Sequence, residues 1–152
     1  GHLQKGHGIC FADFDNDGDQ DVFQQMGGAK RVDSYRDALY ANPGFNNNWI
    51  KIRLEGVQSN RSAIGAKIKV TLDKGERYIY RTINTGGSFG ANSLQQHIGI
   101  GLTKKIDEVE IFWPTSNQKQ TFRNIKANQS IHIKEGEQSF FDVEETNFSY
   151  GT

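Results

Sequence analysis

Apolar and polar residues alternate with a period of two along much of this chain. Ile50, Ile52 and Leu54 fall on one side of residues 49–55, with Lys51, Arg53 and Glu55 on the other. Ile68 and Val70 alternate with Lys67, Lys69 and Thr71, and Val109, Ile111 and Trp113 alternate with Glu110 and Phe112. Successive side chains of a strand leave opposite faces, so this period marks half-buried strands. Similar β-rich runs lie at residues 8–13, 21–25, 66–72, 77–84, 96–100, 119–124 and 130–134. Gly, Asn and Ser separate them, and a strand every ~10 to 15 residues predicts a sandwich or barrel. The expected fold is all-β: an antiparallel β-sandwich of about seven strands preceded by a β-hairpin. Only residues 30–40 carry a helical spacing, with Val32, Tyr35 and Leu39 on one face.

Residues 42–48, Asn-Pro-Gly-Phe-Asn-Asn-Asn, make a poor strand and a good connector. They divide the chain into a hairpin segment (1–41), a linker (42–48), a β-domain (49–136) and a tail (137–152) in which Phe140, Phe141 and Val143 suit one further strand and the final residues are expected to be loose. A lone hairpin has too few strands to be stable, so it must pack on other structure. The chain opens Gly-His-Leu and enters a strand almost at once, which reads as a segment of a longer protein.

The hairpin turn changes the picture. Residues 13–21 hold five of the 18 acidic residues, Asp13, Asp15, Asp17, Asp19 and Asp21, with Gly18 between them. Calcium takes six to eight oxygen ligands, and a tight loop supplies them from alternate positions. Asp13, Asp15 and Asp17 stand at positions one, three and five, Gly18 allows a sharp turn, Asp19 offers a carbonyl, and Asp21 adds a carboxylate directly or through water. Position twelve is Gln24 rather than a bidentate Glu, and the flanks read as strand. The expectation is a calcium loop of EF-like spacing set in a hairpin, with the ion in a structural role.

Charge and composition exclude several classes. There are 18 basic and 18 acidic residues, so a dedicated nucleic-acid surface is not expected. No apolar run approaches the ~18 residues of a membrane span. Cys10, alone in the sequence, sits in an apolar run and reads as a small buried hydrophobe. His2, His7, His97 and His132 lack metal-ligand spacing, His97 reading as a packed or edge residue. Residues 86–90 match a nucleophile-elbow string around Ser88, but no helix follows; a Gly/Ser loop is expected, without catalysis. Asp107, Glu108 and Glu110 read as a solvent face. Arg61 reads as a partner for an acid, Gly65 as relief of a backbone constraint, and Trp49 and Trp113 as core. Asn60, Asn128 and Asn147 open glycosylation acceptor patterns.

Residues 6–23 (GHGICFADFDNDGDQDVF) resemble an FG-GAP/VCBS-type repeat, the calcium-loop unit of propeller blades. Residues 60–70 (NRSAIGAKIKV), 86–93 (GGSFGANS), 97–102 (HIGIGL) and 109–114 (VEIFWP) resemble, in order and spacing, the ASPIC/UnbV domain. The two resemblances imply a secreted, periplasmic or cell-surface protein in which propeller repeats precede this domain, and they imply no enzymatic activity. The functional expectation is a calcium-stabilised binding or adhesion module with a protein or glycan ligand, packed beside propeller repeats of its parent chain. The alternatives are a carbohydrate-binding module and a part of a biosynthetic enzyme assembly.

Overall fold

A computed structural model describes residues 5–28, 32, 34–87, 91 and 93–150. Their strands form three sheets, and the chain divides into two compact units. The first comprises residues 1–44, 85–93 and 147–152; the second comprises 45–84 and 94–146. Among the described residues no helix is long and apolar enough to cross a membrane.

In the first unit β1 (Gly6–Ala12), β2 (Asp21–Met26) and β3 (Ala38–Tyr40) make one antiparallel sheet in the order β1-β2-β3. The expected hairpin is therefore extended by a third strand. That strand replaces the expected helix over 30–40: Ala38–Tyr40 pair with Gln24–Val22, and residues 34–37 carry no regular structure. Val32, Tyr35 and Leu39, the would-be apolar face, are all exposed, so a helix there would have had nothing to bury. The Asp37 carboxylate instead accepts the Met26 N–H at 2.8 Å, fixing the entry to β3. Residues 29–31 and 33, within or beside the expected helix, lie outside the described residues. Cys10 is half-buried rather than buried, because this small sheet leaves neighbouring Ile9 and Phe11 exposed as well.

The second unit is built from two four-stranded sheets. One holds β4 (Asn48–Glu55), β7 (Gln96–Gly101), β10 (Gln129–Lys134) and β11 (Phe141–Val143) in the order β11-β10-β4-β7. The other holds β5 (Lys67–Leu72), β6 (Arg77–Thr82), β8 (Lys105–Phe112) and β9 (Lys119–Lys126) in the order β6-β5-β8-β9. Ile50, Ile52, Ile98 and Ile131 from the first and Ile68, Val70, Val109 and Ile111 from the second belong to one buried cluster. Two sheets sharing one apolar layer make a sandwich. The alternation read from the sequence is what allows it: Ile68, Val70 and Leu72 of β5 and Val109 and Ile111 of β8 are buried, and the residues between them face outward. Trp113 is fully buried just past the end of β8, its indole N–H donating to Gln120 Oε1.

Three local features depart from the alternation. β4 and β10 run parallel, Ile52 opposite Ile131, where antiparallel pairing was expected throughout. A parallel pair needs a long crossover, and here most of the domain lies between the two strands. Lys51, assigned by period to the solvent side, is buried; its ammonium is 2.5 Å from Glu145 Oε2, and that pair replaces water. Trp49 is half-buried outside the core cluster, with the His97 ring at 5.6 Å and the Lys51 ammonium at 5.2 Å.

Candidate metal centre

The loop between β1 and β2 folds on its own carboxylates. Asp13 Oδ1 accepts the Asp17 N–H at 3.0 Å and Asp13 Oδ2 the Gly18 N–H at 2.9 Å. Asp17 Oδ1 in turn accepts the Asp19 N–H at 2.9 Å. Asn16 and Gly18 adopt positive φ, 59° and 102°, so the chain reverses within the acidic run. Those are residue types that tolerate the left-handed region.

Asp21 is the buried member, 2 % exposed. Its Oδ1 accepts the Asn42 N–H at 2.8 Å; its Oδ2 accepts the Phe14 N–H at 3.1 Å and the Tyr150 hydroxyl at 2.9 Å. Burial, then the bond it donates to Asp21, pushes the Tyr150 phenol upward, so it stays a donor. The Phe148 N–H donates to the Asp15 carbonyl at 3.0 Å. The tail expected to be loose is thus tied to the acidic loop at two points.

Three of the five predicted ligands converge. One oxygen each from Asp13, Asp15 and Asp21 lie within 4.8 Å of one another. Oxygens about 2.4 Å from one calcium ion lie within about 4.8 Å of each other, so the spacing and the all-oxygen donor set fit a hard divalent cation. The carboxylates of Asp17 and Asp19 are not in this group, and Asp19 was expected to offer its carbonyl rather than its side chain. Desolvation, and then the charges of Asp17, Asp21 and Asp13, push the Asp15 carboxyl above its ordinary value. A cation among them would relieve that repulsion.

Sequence reasoning missed Asn42 and Tyr150, which hold Asp21 from 21 and 129 residues away. No local pattern reports such distances. It also missed Glu135, buried just past the end of β10. Glu135 Oε2 accepts three consecutive amides, those of Val57, Gln58 and Ser59, at 2.7, 2.8 and 2.8 Å. Its Oε1 accepts the hydroxyls of Ser59 at 2.9 Å and Ser116 at 2.6 Å. Burial alone would raise this carboxyl, but the bonds from Ser116, Ser59 and Val57 outweigh it and hold the pKa at about 2.

The remaining candidates resolve simply. Ser88 lies outside the described residues, as do Phe89, Gly90, Asn92 and His2. His7 is exposed, and His132 Nε2 lies 3.4 Å from Glu55. Arg61 is exposed, with its Nε 3.9 Å from Glu55. Gly65 takes a φ of 92°, the constraint expected of it. Glu108 and Glu110 pair with Arg123 and Lys119 on an outward sheet face.

The sequence model of the family described as ASPIC and UnbV matches residues 56–140. The chain belongs to the ASPIC and UnbV family. The ASPIC and UnbV match takes in β5 to β10, the Val57–Ser59 amides and Glu135, and it begins after the acidic loop. No curated protein sequence matches the chain.

Proposed function

We propose that the chain is a calcium-stabilised binding or adhesion module of a secreted, periplasmic or cell-surface protein. The observation that carries this reading is the convergence of the Asp13, Asp15 and Asp21 carboxylates within the reach of one ion. These three residues would hold calcium, and the ion would supply charge neutralisation to a loop that otherwise repels itself. The likeness of residues 6–23 to an FG-GAP/VCBS-type repeat supports the same assignment and suggests propeller repeats as neighbours in the parent chain. The reading assigns no catalytic residue. The ion's role is shape: it closes the β1–β2 turn, while recognition belongs to outward faces.

An ion that binds only the folded form stabilises it by about 2.7 kcal/mol at a hundredfold excess over its Kd. Thermal melts in EDTA and in millimolar calcium test the proposal. Calcium should raise the melting temperature and EDTA should reverse the rise. An unchanged melt, together with no bound calcium by elemental analysis, would overturn it.

A further inference from the structure

The outward face of the β6-β5-β8-β9 sheet carries a shallow groove of about 320 Å3. Strand register builds it. Lys67 stands opposite Phe112, which stands opposite Lys119, and in the next row on that face Tyr80 stands opposite Lys69, which stands opposite Glu110. All six line the groove.

Three ammonium groups thus face one carboxylate. Glu110 is shared with Lys119 at 3.3 Å. Among the described residues no carboxylate lies within salt-bridge distance of Lys67 or Lys69; the Lys69 ammonium instead lies 4.9 Å from the Tyr78 ring centroid. Lysines often guard the open edge of a sheet. That does not account for these two, because β5 is an interior strand flanked by β6 and β8. Tyr80 is 65 % exposed and Tyr78 48 %, so aromatic surface is left in water beside unneutralised charge. The groove volume is at the lower end for small-ligand sites.

We propose that this groove binds an acidic saccharide: a pyranose whose apolar face rests on Tyr80 and Phe112, whose carboxylate or sulfate is met by Lys67 and Lys69, and whose hydroxyl donates to Glu110. The inference deepens the reading of the chain as a binding module by naming its ligand class. It is independent of the acidic loop, since every residue invoked lies in the second unit.

Calorimetric titration of the full chain tests it, with hexagalacturonate and a sulfated cello-oligosaccharide as the two anionic sources and cellohexaose as the neutral control. At least one anionic probe should saturate, with cellohexaose about tenfold weaker or silent. Tyr80→Ala should weaken binding about fivefold. Lys67→Ala with Lys69→Ala should weaken it by a similar factor, about fivefold or more. These substitutions lie on the outward face, outside the buried cluster, and should leave the melting temperature within a few degrees of the parent's. Absence of saturable binding overturns the inference, as does equal binding of cellohexaose. Anionic binding insensitive to Tyr80→Ala marks simple ion exchange and overturns it too. So does light scattering that shows self-association abolished by the same variants. A chain that melts higher in calcium yet binds no saccharide overturns this inference alone.

Discussion

Ser59 is bonded twice to Glu135, its N–H donating to Oε2 at 2.8 Å and its hydroxyl to Oε1 at 2.9 Å. The contact spans 76 residues and ties the turn after β4 to the end of β10. With the Val57, Gln58 and Ser116 donors it satisfies a buried charge entirely from within the protein.

Acid should release this tie. The Glu135 pKa falls from 4.5 to about 2 on folding, a difference worth on the order of 3 kcal/mol. The folded value lies below the unfolded one, so the stabilisation is present above pH 4.5 and is lost as the pH falls through about 2. Urea unfolding at pH 7 and at pH 3 should show the loss beginning. Glu135→Gln should cost about 2–4 kcal/mol at pH 7 and flatten that part of the pH profile. A variant as stable as the parent would contradict the assignment.

The five aspartates should not be equivalent. Asp13→Asn, Asp15→Asn and Asp21→Asn should each abolish most of the calcium-induced rise in melting temperature, because these carboxylates converge. Asp17→Asn and Asp19→Asn should retain most of it. Tyr150→Phe should cost about 1 kcal/mol in the absence of calcium, since it removes one donor to the buried Asp21. A loss at Asp17→Asn as large as that at Asp13→Asn would favour the sequence-spacing picture over the folded one.

Two glycines give a paired test of packing. A Cβ on Gly56 would collide with the Asn60 carbonyl oxygen and sit 2.7 Å from that of Ser59, both backbone atoms. Gly56→Ala should therefore destabilise by about 2–3 kcal/mol and disturb the turn that Glu135 holds. A Cβ on Gly99 meets nothing within 4 Å. Gly99→Ala should change stability by no more than about 0.5 kcal/mol. Denaturant midpoints of the two variants decide the matter.

The Lys51–Glu145 pair should behave as a buried ion pair. Glu145→Ala removes the carboxylate beside an ammonium that is almost wholly buried and should cost about 3 kcal/mol. Lys51→Met keeps the aliphatic stem, leaves the charge on the more exposed partner, and should cost about 1 kcal/mol or less. Chemical denaturation of both variants checks the asymmetry.

The strands were legible because period two is a local signal. All nine runs read from the sequence appear as strands, and the core residues Ile50, Ile52, Ile68, Val70, Val109 and Ile111 fall on the faces their alternation assigns. The acidic loop was legible as a cluster, but which carboxylates converge was not. Asp17 and Asp15 look alike by spacing, and only the folded loop shows that the Asp15 carboxylate lies with those of Asp13 and Asp21. Lys51 was misassigned because its partner lies 94 residues away. β3 was misread because three residues are too few to carry a period, and pairing with β2 decided their state. The groove needed strand order: Lys67, Phe112 and Lys119 form one row only after β5, β8 and β9 are set side by side.

The parallel pairing of β4 with β10 also has a consequence for chain synthesis. The Trp49 N–H closes onto the Asn128 side chain 79 residues later. A ribosome emitting this protein from its N-terminus would release β4 long before the strand that must lie beside it. The second unit therefore waits, with one flank of β4 open, until residues 129–134 have emerged. Its contacts are long in sequence, and that places it among slow-folding topologies. Truncation anywhere before β10 should yield a collapsed, sticky chain rather than a smaller domain.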